Sequence, residues 1–130
     1  MRAPIEILEA LDTASKGVQA ASTELADLSQ RFHQAEHVNG EIKNGLALEY
    51  DVAIKEEVAK IYDEAIEAEQ KPPPADVRGA KAERHVRTVK PTLWAEYHAT
   101  KARIDALKTW ISNQKATISA NQSIRKGEIP

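Results

Sequence analysis

Apolar side chains recur at alternating steps of three and four through three separate stretches of this chain. That rhythm excludes most architectures other than packed helices. In the first stretch one seam position holds Leu11, Val18, Leu25, Phe32 and Asn39, and the other holds Ala14, Ala21, Leu28, Ala35 and Ile42. These positions share one side of a helix in the geometry of a coiled-coil seam. Ser15, Ser22 and Ser29 flank the seam at the same spacing, which lets two backbones approach closely. Pro4 suits a first helical turn, where its missing N–H leaves nothing unpaired. The reading predicts a heptad helix over 5–38. Asn39-Gly40 and Asn44-Gly45 then interrupt, and with no strand alternation in their flanks they predict a helix break or bend rather than a β-hairpin.

The second stretch, Ala47, Tyr50, Ile54, Val58, Ile61, Ala65 and Ala68, predicts an acidic helix over 46–69. Its eleven-residue step from Ala47 to Val58 winds differently from a strict heptad. Pro72-Pro73-Pro74 ends it, because consecutive prolines cannot donate helix hydrogen bonds. Residues 70–91 read as a proline-rich, basic linker with Gly79 inside it. From there a long amphipathic helix is predicted over 92–126, with a seam of Leu93, Tyr97, Thr100, Ile104, Leu107, Ile111, Gln114, Ile118 and Asn121. Gly127 would cap it, and Glu128-Ile129-Pro130 would form a tail.

Composition decides what these helices can build. The 130 residues allow one domain at most, and 21 of the 54 apolar residues are alanine. So few large side chains favour an elongated, self-associating helical assembly over a compact globule. An unbroken helix from 5 to 69 would span about 100 Å, against about 50 Å for the last helix. The chain therefore either folds back at the Asn-Gly pairs or lends its first heptads to another subunit; the alanine-rich seam favours the latter. The absence of cysteine excludes disulfides and thiolate chemistry. Glu6, Glu9 and Asp12 interrupt any signal-peptide stretch, and no apolar run approaches a membrane span.

The net charge of −2 conceals an asymmetry. Residues 1–70 hold fifteen acids and six bases; residues 71–130 hold five acids and twelve bases. Such halves fold against each other, pair between subunits, or leave a basic surface for a polyanion. Arg78, Lys81, Arg84, Arg87 and Lys90 recur every three residues, a row that spirals around a helix instead of forming one stripe. Trp94, Lys101, Lys108 and Lys115 are spaced by sevens beside the last seam. Lysines so placed would meet the phosphates of a single strand while tryptophan stacks on bases. In a protein-interaction module they would instead be buried against Glu56, Glu57, Glu64 and Glu67. His33-Gln34-Ala35-Glu36-His37 matches the H-x-x-E-H string, in which two histidines on one helical face chelate zinc. Its position on a heptad helix favours a solvated polar face over a metal site. His85 and His98 have no partner at ligand spacing and read as exposed helix positions. No P-loop, dinucleotide fingerprint or nucleophile elbow is present.

Glu49-Tyr50-x-x-Ala53, the basic Val77-Arg78 segment, and Ala102-Arg103-Ile104-x-x-Leu107-Lys108-x-Trp110-Ile111 closing on Asn121-Gln122-Ser123 follow one another in a distinctive layout. Across roughly residues 46–126 it resembles a family of small helical proteins encoded by tailed phages, common in replication and recombination gene clusters. The helix–basic linker–helix plan is also similar to that of UvsY-type recombination mediators. The resemblance implies an oligomeric protein of the host-cell cytoplasm that binds single-stranded DNA and helps a recombinase displace single-strand-binding protein. The expectation is thus an all-α, elongated helical hairpin or antiparallel coiled coil forming a homo-oligomer. It carries no catalytic residue, metal or cofactor, and its partner is single-stranded DNA, a recombinase or a single-strand-binding protein. The alternative is a non-enzymatic protein–protein module: a virion or scaffold component, or an inhibitor of a host protein.

Overall fold

The computed structural model describes residues 4–128, with side chains over 5–123. In that span four helices and one small hairpin follow in the order α1 (Pro4–His33), β1 (Glu36–Val38), β2 (Glu41–Lys43), α2 (Leu46–Glu67), α3 (Ala75–Val89) and α4 (Pro91–Glu128). The described chain is mostly helical, as the apolar rhythm predicts. It divides into two compact units. The first combines the residues through Ser29 with those from Ala102 onward; the second is Gln30–Lys101.

In the first unit α1 and α4 run antiparallel. Leu107 and Ile111 are buried with Ala21 against the half-buried Val18, Leu25 and Leu28. Arg103 donates to Glu24 from Nε to Oε1 at 2.8 Å and from Nη2 to Oε2 at 2.9 Å. A Cβ at Gly17 would lie 3.2 Å from the Trp110 ring, so glycine lets that indole approach α1 closely. The chain thus covers its own alanine-rich seam over residues 18–28, and the shortage of large side chains there does not by itself require a second subunit.

The second unit corrects two expectations. α1 ends at His33, and the predicted break is a β-hairpin after all. Val38 pairs with Glu41 across the two-residue turn Asn39-Gly40. Both turn residues have positive φ, 52° and 80°, the left-handed geometry that matches strand twist in a tight hairpin. Three residues per strand are too few to show alternation, and both strands are exposed throughout. Gly45 then caps α2 where the chain passes close to the end of α1: a Cβ there would lie 2.8 Å from the Phe32 carbonyl oxygen and 2.9 Å from the His33 carbonyl carbon.

α2 closes with Glu69 at φ 57°, while the N–H of Gln70 donates to Ala65 at 2.9 Å and that of Glu69 to Ile66 at 3.0 Å. This reversal satisfies the last carbonyls of the helix before the prolines. The segment expected as a linker, 70–91, is the second correction, because fifteen of its residues form α3. Asp76 favours its first turn and Arg87 its last, each opposite in sign to the helix end it occupies. Ala82 and Val86 are buried, and Val86 packs with Tyr50 and Ala53 of α2. In α4 the helix continues through Gly127 to Glu128, so Gly127 is not a cap; Ile129 and Pro130 lie outside the described residues.

Candidate nucleic-acid interface

α3 is held to α2 by small residues. Ala82 is fully buried, at 0% exposure. With Ala82 inward, steps of three turn the basic row by about 60° each. Arg78 therefore lands beside α2, while Lys81, Arg84 and Arg87 sweep across about 120° of the outer face. The spiral read from the sequence is real, and its middle three members all face solvent.

The two ends of the row do different work. Arg78 is half-buried: its Nη1 donates to the Pro73 carbonyl at 2.6 Å and its guanidinium lies 5.4 Å from the Tyr62 ring centre. It pins the proline turn, and its Nε finds no partner among the described residues. Lys90 is exposed at the C-terminal end of α3, directly before the proline that opens α4.

Trp94 is half-buried and packs against the cluster of Tyr50, Ala53 and Val86. The Arg87 guanidinium lies 4.7 Å from its ring centre, a cation–π contact. One face of the indole thus carries a cation, and the tryptophan acts as a platform that props Arg87 outward. Lys101 is exposed, with Nζ 5.9 Å from the Tyr97 ring centre. These residues, Arg78 through Lys101, belong to the second unit. Lys108 and Lys115 belong to the first, where both are exposed along the border of the α4 seam.

None of the nine basic or aromatic candidates joins a side-chain ion pair among the described residues. The pairs formed there are Lys16–Asp12, Lys55–Asp51, His85–Glu57 and Arg103–Glu24. Glu57, one of the carboxylates that would neutralise the lysine row, is instead engaged by His85 at 3.3 Å. His85 is therefore a contact between α2 and α3 rather than a purely solvated position.

Beneath the cationic face lies an aromatic stack. Tyr50 and Tyr97 are parallel, with ring centres 3.8 Å apart and planes 8° from each other. Phe32 extends the stack at 5.3 Å from Tyr97. His98, expected on an exposed helix face, is half-buried between Tyr50 and Trp94. Its Nε2 shares a hydrogen bond of 3.3 Å with the Tyr50 hydroxyl. Burial pushes the Tyr50 phenol above its ordinary pKa, with Glu83 and Tyr97 adding to the shift, so the hydrogen bond is held by a neutral hydroxyl. Tyr50 and Tyr97 were both legible as seam positions, but nothing in the sequence pairs one with the other.

The H-x-x-E-H string does not form a helical chelate. α1 stops at His33, and Glu36 and His37 lie on β1. The two histidines therefore share no helix face. Among the described residues no group of three or more His, Asp or Glu side chains is arranged to hold a metal ion. No helix among them is long and apolar enough to cross a membrane. No protein-family model matches the chain, and neither a curated protein nor a solved structure shows significant similarity to it.

Proposed function

We propose that the protein is a non-enzymatic helical accessory of DNA recombination or replication that binds single-stranded DNA through the outer face of α3. The observation that carries this reading is that Lys81, Arg84, Arg87 and Lys90 are exposed and unbridged. Cations free of internal carboxylates release counterions from a phosphate backbone when they bind it. Arg87, stacked on Trp94, presents its charge at a lower entropic cost than a freely rotating side chain.

The tailed-phage setting, with a recombinase or single-strand-binding protein as neighbour, rests on the resemblance of layout to the mediator plan. Self-association is part of the proposal and draws on the first unit, where Ile5, Leu8 and Trp110 are exposed. Fluorescence anisotropy with a labelled oligothymidylate at low salt tests the DNA reading. Saturable binding that weakens steeply as salt is added supports it; no binding at the lowest salt removes it.

A further inference from the structure

α2 carries a second apolar row on the face turned away from the aromatic stack. Leu48, Val52, Lys55, Ala59, Tyr62 and Ile66 succeed one another at steps of four, three, four, three and four. At about 100° per residue they form one stripe, opposite the side that buries Tyr50 and Ala53. Leu48, Val52, Tyr62 and Ile66 remain 51%, 42%, 44% and 52% exposed. Single exposed apolar residues are normal on any protein surface. Four in one heptad register, about 27 Å from end to end, form a seam that the described residues leave open but for Arg78 beside the Tyr62 ring.

The border of this seam indicates what closes it. Glu49, Glu56 and Asp63 run along one edge at seven-residue spacing. All three are exposed, and none joins an ion pair among the described residues. In paired helices such bordering positions select the partner. A second α2 in antiparallel pairing would set this acidic edge against its own equivalent. In parallel pairing it would meet Asp51, Val58 and Ala65, which offer no cation. Both arrangements disfavour a second α2, the repulsive half of specificity, and the lysine-bordered seam of α4 is already engaged, with Leu107 and Ile111 buried against α1.

We propose that this face docks an amphipathic helix of another protein, one whose apolar seam is bordered by Lys or Arg every seven residues. Lys55, inside the seam and held to Asp51 at 2.9 Å, sets the register: a polar seam residue is tolerated where the partner offers it an acceptor. Of the cationic residues of α3 only Arg78 reaches this surface, where its guanidinium lies 5.4 Å from the Tyr62 ring centre; Lys81, Arg84, Arg87 and Lys90 are not part of it, so it stands or falls independently of DNA binding.

Titrating the full chain with two synthetic peptides tests the assignment. They share a Leu/Ile seam, one with Lys at every bordering position and the other with Glu. The Lys peptide binds at least about tenfold more tightly than the Glu peptide. Val52→Lys with Ile66→Lys weakens it by at least about tenfold, with unchanged circular dichroism because both positions are exposed. Glu49→Lys, Glu56→Lys and Asp63→Lys together transfer the preference to the Glu peptide, an independent readout should the first variant misfold. Failure of the Lys peptide to bind, equal binding of both peptides, or indifference to these substitutions overturns the proposal. So does sedimentation showing a dimer that Val52→Lys with Ile66→Lys dissolves, since a second copy would then be the occupant.

Discussion

The two units solve the same problem, too few large side chains, by different means. The first spreads Val18, Ala21, Leu25, Leu28, Leu107 and Ile111 along two antiparallel helices and adds the Arg103–Glu24 fork at its surface. The second concentrates its bulk, placing Tyr50, Trp94, Tyr97 and Phe32 around one point and using Gly45 and Ala82 to bring backbones together. Aliphatic seams gain stability in proportion to length, whereas stacked aromatics gain it from area and shape at one place. The second unit should therefore be the more sensitive to a single substitution, and it is the one that displays the spiral of cations.

Truncating the aromatic stack gives the largest expected effect. Tyr50→Ala costs about 3–5 kcal/mol, because a ring only 6% exposed loses its stacking partner and leaves His98 without its hydrogen bond. Leu107→Ala in the first unit costs about 2–3 kcal/mol, since a two-helix seam collapses around the gap more readily. Urea denaturation of the two variants compares them, and equal losses would erase the distinction between the units. Gly45→Ala costs about 1–3 kcal/mol without altering α2 itself, because the added methyl meets the backbone at the end of α1. Glu69→Gly goes the other way and stabilises by about 1 kcal/mol, since a residue with a side chain now occupies left-handed backbone at the end of α2. Thermal melts resolve both.

What the sequence disclosed follows from what periodicity can carry. The seam of α4 was legible residue by residue: Ile104, Leu107 and Ile111 are buried, and Leu93, Tyr97, Gln114, Ile118 and Asn121 are half-buried. α2 ends within two residues of its predicted limit, because the prolines stop it regardless of packing. α3 escaped because only Ala82 and Val86 are buried on it, and two small residues leave almost no apolar signal amid Gly79 and four Lys or Arg side chains. The hairpin escaped because Asn39-Gly40 carries all of its information in the turn. Of the candidate interface, the cations were legible and their roles were not. The anchoring of Arg78 at Pro73 and the seating of Arg87 on Trp94 depend on contacts between elements, which no spacing along the chain encodes.

The central claim is that the outward charge of α3 is what meets a polyanion, and the salt dependence of binding isolates it. Oligothymidylate affinity measured across a salt series for the parent chain and for Lys81→Gln/Arg84→Gln/Arg87→Gln gives two slopes of log K against log salt. Three lost phosphate contacts to a single strand reduce the slope by about 2, and affinity at low salt falls with it. Identical slopes and affinities in the two proteins would contradict the account and place any nucleic-acid contact elsewhere on the molecule.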